Sequence, residues 1–240
     1  MAPFDAAGKD PRGATESVSL RATEVPAYMR EVYSWAYLNP RNVKWLDREI
    51  VVSMILWGNN NRLKQQLLME IASNATVLQA AHVYGSLIPE IAAKLDHSHQ
   101  LEVVEVSPLQ AERCRAKLHA FPQAVVSIDD IGRLQTRPRD LVSCFFLLHE
   151  IPDDYKHAIV NTLLDHVGSG GKAVFVDYHM PTHLHPLRGI MNLIWQKFEP
   201  FAIGLMDSEI EMFADDGEAF TWSKETFFGG LYQKVVATRR

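Results

Sequence analysis

Two long apolar runs near the middle of the chain each end in a cluster of groups that can do chemistry. Leu141 to Leu148 is almost wholly apolar and is followed at once by His149-Glu150-Ile151-Pro152, while Lys172 to Tyr178 ends in Asp177 and leads to His179, His183 and His185. Imidazoles and carboxylates accept and donate protons near neutral pH. As a mixed nitrogen and oxygen donor set they can also hold a divalent metal. His149, Asp177, His179 and His183 are the candidate metal ligands, and His149 and His179 are candidate catalytic groups. The competing reading is ordinary, because loop histidines commonly bond to backbone or to solvent. His97, His99, His157 and His166 lie on helical or surface stretches and read as solvated.

These groups need strands to carry them. A run such as Leu141 to Leu148 suits a strand buried on both faces, the central strand of a parallel sheet, and open α/β sheets place ligands beyond the C-terminal ends of such strands. The matching start of the sheet is Thr76 to Ser86, Thr-Val-Leu-Gln-Ala-Ala-His-Val-Tyr-Gly-Ser, followed by a helical pattern from Leu87 to Leu95. It reads as first strand, ligand loop and first helix. Such a junction aims backbone N–H groups and the positive end of a helix at a phosphate or carboxylate. Ala81, His82 and Val83 fill positions where a dinucleotide loop has glycines. A ligand without a pyrophosphate, such as S-adenosylmethionine, is the easier fit. The second strand, Leu101 to Val106, contains Glu105, an acid placed to hold a ribose hydroxyl pair.

The remaining chain frames this core. Residues 1–24 are polar and rich in small residues and predict a disordered tail; residues 25–74 predict a helical cap; residues 75–240 predict the ligand-binding domain. In the cap, Asn39-Pro40 starts a helix running to about Trp57, with Gly58 as its stop and Val43, Leu46, Ile50, Met54 and Trp57 as one stripe. That stripe suits a core, a roof over an apolar substrate, or a bilayer contact. Gly168, Gly170 and Gly171 are expected to close the helix that starts at Asp153. A helix at about 187–206 would cover the substrate, and two alternating runs around Gly229-Gly230 predict a terminal antiparallel hairpin. The expected fold is α/β, a doubly wound Rossmann-like sheet with that hairpin and cap.

Composition narrows the class. With 24 Lys and Arg against 29 Asp and Glu, net charge −5, nothing favours nucleic acid. Cys114 and Cys144 stand apart, as expected of free thiols in a reducing compartment. Neither a signal peptide nor an apolar run of transmembrane length is expected.

Leu78 to Gly85, Val103 to Pro108, Asp130 to Leu134 and Asp140 to Pro152 together resemble class I S-adenosylmethionine-dependent methyltransferases. Within that superfamily, Ala80-Ala81-His82-Val83-Tyr84-Gly85, Phe145 to Pro152 and Val176-Asp177-Tyr178-His179-Met180-Pro181 resemble the rhodoquinone-biosynthesis methyltransferase-like family, and the Tyr28 to Trp57 cap and His185-Pro186-Leu187-Arg188 fit it too. The resemblance implies conversion of ubiquinone to rhodoquinone, a ring methoxy group being replaced by an amino group from S-adenosylmethionine with manganese assisting. It implies a cytoplasmic enzyme peripheral to the membrane that carries its lipid substrate. Cofactor contacts would come from Ala80, His82, Tyr84 and Gly85, from Glu105 and Val106 at the ribose, from Asp130 and Ile131 at the adenine, and from Phe146. Tyr84, beside the sulfonium, would join His149 and His179 in the reaction. The alternatives are methyl transfer to a quinone or other small molecule, and a non-catalytic S-adenosylmethionine-binding partner of a quinone-biosynthetic complex.

Overall fold

The computed structural model describes residues 25–96 and 100–240, so the expected tail and His97 and His99 lie outside the described residues. A cap of four short helices, α1 (Ala27–Glu31), α2 (Ser34–Tyr37), α3 (Pro40–Leu46) and α4 (Glu49–Ile55), precedes α5 (Asn60–Glu70). An alternating core follows: β1 (Val77–Ala80), α6 (Leu87–Lys94), β2 (Leu101–Glu105), α7 (Pro108–Lys117), β3 (Ala124–Ile128), β4 (Arg139–Phe145), α8 (Asp153–Asp165) and β5 (Val167–Tyr178). Helices α9 (Arg188–Phe198) and α10 (Ala202–Met206) lead to the hairpin β6 (Phe220–Phe227) and β7 (Tyr232–Arg239).

The seven strands form one sheet in the order β3-β2-β1-β4-β5-β7-β6. The first five are parallel, and β7 runs antiparallel to both β5 and β6. The strand order reverses between β1 and β4, which opens a crevice at their C-terminal ends. Side chains alternate across the sheet. Val174 and Val176 join α5, α6 and α9 on one face, while Ala173 and Phe175 join α8 and α10 on the other.

Several boundaries depart from the sequence reading. Asn39 caps α3 as expected, its side chain accepting from Arg41 N–H at 3.0 Å, but the helix ends at Leu46 and restarts at Glu49. That break turns Asp47 and Glu49 inward, where they find cationic partners. The stripe divides accordingly: Val43 and Leu46 are buried, whereas Ile50, Met54 and Trp57 are exposed. The expected helix at 187–206 is two helices, because Pro200 disfavours the helical state at Glu199. Gly168, Gly170 and Gly171 lie within β5 and do not cap α8. A Cβ on Gly171 would come 2.9 Å from the Asp140 carbonyl oxygen, so only glycine permits that strand approach. His166 is not solvated. It is buried, with Nδ1 at 2.6 Å from the Thr162 carbonyl and Nε2 accepting from Thr136 N–H at 3.1 Å. Both cysteines are buried free thiols. No helix among the described residues is long and apolar enough to cross a membrane.

Candidate functional site

The loop after β1 does not keep its helix end open for an anion. Asp47 Oδ1 accepts from Gly85 N–H at 3.1 Å, and Glu49 Oε2 accepts from Ser86 N–H at 2.9 Å. The protein's own carboxylates thus fill the N-terminus of α6, correcting the expectation of a ligand phosphate or carboxylate there. Lys64, almost fully buried, bridges Glu49 and Glu90 at 2.7 Å each, and Arg113 and Lys117 hold Asp47. The loop is narrow at Gly85, whose φ is +82° and where a Cβ would meet Glu49 Oε2 at 2.6 Å. Ala81 takes the left-handed conformation, φ +62°, that glycine adopts more readily.

What remains open is a cleft across the ends of β1, β2 and β4. Ala81, His82, Glu105, Val106, Asp130, Ile131 and Phe146 line it. Ala80 is fully buried behind them at the end of β1. Glu105 accepts from His82 N–H and Ser107 N–H, both at 2.8 Å. Burial pushes its carboxyl up to about 7 against those hydrogen bonds. Asp130 accepts from Gly132 N–H at 2.9 Å and from the Tyr155 hydroxyl.

A second cavity of about 830 Å³ adjoins the first, and His82, Tyr37, Phe145, Phe146 and Glu150 line both. His82 is oriented from behind. Gln110 donates through Nε2 to the Tyr84 hydroxyl at 2.9 Å and the Tyr37 carbonyl at 3.0 Å, so its Oε1 accepts from His82 Nδ1–H at 2.9 Å. Nε2 of His82 is then a lone-pair acceptor, buried and without a hydrogen-bond partner among the described residues. Burial and the Lys117 charge hold this imidazole down at about 4, hence neutral. Tyr84 gives its hydroxyl to the Ala36 carbonyl at 2.7 Å and stacks on Tyr37, so it offers the cavity its ring.

The polar wall of this second cavity joins three parts of the chain. Asp177, held by Leu148 N–H at 2.9 Å and Tyr178 N–H at 2.7 Å, accepts from His149 Nδ1–H at 2.7 Å. His149 Nε2 then faces Glu150 at 3.7 Å and Glu199 at 3.9 Å. Burial disfavours the imidazolium, but the charge and hydrogen bond of Asp177, with Glu199 and Glu150 behind them, raise it to about 9. Burial raises both glutamates, with the charge of Glu199 adding at Glu150 and that of Asp177 at Glu199, and His149 opposing at each. The cap supplies Tyr37, which donates to Glu150, and Tyr33, which donates to Glu199 at 3.0 Å.

The structure therefore assembles a different metal-compatible set from the one expected. His149, Glu150 and Glu199 offer ligand atoms within 4.8 Å of one another. Asp177 stands behind His149 and orients it. His179 spends Nδ1 on the Gly230 carbonyl at 2.8 Å, and His183 is exposed, accepting from Arg188 at 2.8 Å. His185 is buried against the Phe228 ring. Among the described residues no group of three potential ligands includes His179 or His183. Sequence reasoning missed Glu199, Tyr33, Tyr37, Gln110 and the Asp47–Glu49 pair. Only Glu199 carried a local signal, the proline after it.

No protein-family model matches this sequence, and no curated protein matches it. Solved structures do. The N-methyltransferase NodS from Bradyrhizobium japonicum WM9, in complex with S-adenosyl-L-homocysteine, aligns over 89% of this chain and 99% of its own at 13% identity, TM-score 0.58. Mitomycin 7-O-methyltransferase aligns over 87% of this chain and 60% of its own at 12% identity, TM-score 0.62. An O-methyltransferase family protein from Burkholderia thailandensis aligns over 84% and 60% at 11% identity, TM-score 0.59. The fold is that of the class I S-adenosylmethionine-dependent methyltransferases. At these identities the likeness concerns fold alone.

Proposed function

We propose that the chain binds S-adenosylmethionine in the cleft at the ends of β1, β2 and β4 and uses it on a lipid quinone held in the adjoining cavity: the cofactor's amino nitrogen bonds to the ring as a methoxy group of ubiquinone leaves as methanol with an amine proton, and hydrolysis of the nitrogen's bond to the cofactor then gives rhodoquinone. The observation that carries this reading is the cluster of His149, Glu150 and Glu199, with Asp177 behind it, in the cavity beside the cofactor cleft, Glu150 lining both. Glu105 accepts the ribose hydroxyls, and Asp130 stands where an adenine amino group would donate. His82, which lines both cavities, is held neutral, and its buried Nε2 has no hydrogen-bond partner among the described residues. With its Nδ1–H on Asp177, His149 presents Nε2 as a neutral donor, the form a metal ligand requires.

One imidazole and two carboxylates, buried together and backed by a carboxylate on the far ring nitrogen, fit a manganese ion. His149, Glu150 and Glu199 would hold it, and when bound it would polarise a quinone carbonyl. Tyr33 and Tyr37 fix the two glutamates, and the aromatic wall excludes water.

Methyl transfer to a quinone or other small molecule is the second reading, favoured by the sheet order shared with N- and O-methyltransferases. Incubation with ubiquinone, S-adenosylmethionine and manganese, followed by mass spectrometry of the quinones, separates the two. Aminoquinone is the expected product, and a methylated quinone without it would refute amino transfer. His149→Ala should lose turnover while keeping S-adenosylmethionine affinity; a chain that only binds the cofactor for a complex would show no turnover to lose.

A further inference from the structure

The side of the cap that faces away from the sheet carries more large apolar surface than a surface in water usually does. Trp45 is 55% exposed, Ile50 70%, Met54 73% and Leu193 65%. Ile50 and Met54 stand one turn apart on α4. A groove lined by Trp45, Met54, Ile194 and Phe198 joins α4 and α9, tied by Trp57 Nε1–H donating to Met191 Sδ at 3.3 Å and by the Trp35 and Phe198 rings, 6.5 Å apart.

Charge decides what covers the patch. The chain is acidic overall, net −5, yet this side is basic. Between Ser34 and Trp57 both acids are ion-paired: Asp47, buried, with Arg113 and Lys117, and Glu49, part-exposed, with Lys64. Arg41, Lys44 and Arg48 remain exposed, and α9 has no acid and adds Lys197, whose Nζ lies 5.4 Å from the Phe198 ring centre. Tryptophan and aliphatic side chains ringed by Lys and Arg match the boundary layer of an anionic bilayer. A second copy would set like charges against each other.

We propose that α3, α4 and the outer stripe of α9 form a docking face for an anionic lipid bilayer. The groove on this face also reaches Tyr178 and Glu199, which line the reaction cavity, so a hydrocarbon tail can leave the cavity into lipid without crossing water. That last step rests on the lipid-quinone reading; the docking face does not.

The test is sedimentation of the full chain with phosphatidylcholine vesicles, with and without phosphatidylglycerol, together with quenching of tryptophan emission by brominated lipid. The wild type should bind the anionic vesicles and be quenched. I50E/M54E, which changes two exposed side chains, should weaken binding on the order of tenfold or more, and K44E/R48E should lower binding to anionic vesicles only. S-adenosylmethionine affinity should stay unchanged in both, showing that they fold. Wild-type and I50E/M54E chains sedimenting alike would overturn the proposal, as would a wild-type dimer that I50E/M54E converts to monomer without any vesicle binding. Vesicle binding without quinone turnover would refute the quinone reading and leave the docking face standing.

Discussion

Asp47→Ala tests whether the cap holds the cofactor loop in shape. The Asp47 side chain is 4% exposed and accepts from Gly85 N–H at 3.1 Å, from Arg113 at 2.6 Å and from Lys117. Removing one partner of a buried ion pair costs about 3–5 kcal/mol when the other stays buried. Here Arg113 is 32% exposed and Lys117 18%, so both can reach water in part, and the low end, about 3 kcal/mol, applies. For a chain of this size that is a fall in Tm of roughly 6–12 °C. Asp47→Asn keeps an acceptor for Gly85 N–H while losing the charge, and should cost about 2 kcal/mol. The loop should also loosen. If one residue's worth of backbone order must be restored on binding, at about 1–2 kcal/mol, S-adenosylmethionine affinity falls roughly tenfold. Thermal unfolding and titration calorimetry on both variants supply the two numbers. A stability change within about 0.5 kcal/mol, the range of an ordinary surface substitution, would refute the buried-pair argument. A large stability loss with unchanged affinity would show that the loop holds itself.

Two pH effects follow from groups at the junction of the cavities. In the proposed binding mode ribose hydroxyls would donate to the charged form of Glu105, whose carboxyl burial pushes up to about 7, so binding below that pH would release a proton. S-adenosylmethionine affinity should rise with pH up to about 7 and then level off, and Glu105→Gln should bind more weakly with no such slope; an equal slope in that variant would assign it elsewhere. His82 has a folded-state value of about 4, below its unfolded value, so the unfolded chain takes up the proton first as pH falls. Its contribution is present above about pH 6.5 and lost toward pH 4, amounting to about 3 kcal/mol. Glu105 acts in the opposite sense: its raised value adds stability at low pH that is lost as pH rises through about 7. The difference in unfolding free energy between wild type and His82→Gln isolates the histidine, and a flat difference across that range would contradict its burial as a neutral acceptor.

Much of the frame was legible because strand burial and helix starts are local. The double-sided apolar run at β4, the glycine pair between β6 and β7 and the Asn39 cap each report on neighbours a few residues away. Glu105 and Asp130 were legible for the same reason: they sit at strand ends, and strand ends face the cleft in this fold. Local signals failed where a residue's partner is distant in sequence. The stripe from Val43 to Trp57 has helical spacing throughout, yet the chain breaks at Asp47 because Arg113, Lys117 and Gly85 reward the turn. Gly171 looked like part of a helix stop because nothing nearby announces the Asp140 carbonyl, 2.9 Å from where its Cβ would stand.

The opening groups divide along the same line. His149 and Asp177 were each readable as candidate ligands because they lie at the ends of adjacent parallel strands, whose register sets such ends side by side. That Asp177 orients His149, that His179 and His183 turn to Gly230 and Arg188, and that Glu199 and the cap tyrosines complete the cluster were decided only by packing. Sequence alone determined which strand ends would carry chemistry, since alternation and burial are written along the chain. Tertiary structure decided which side chains meet there, because a buried charge is placed by whatever partner, near or far, offsets its lost hydration.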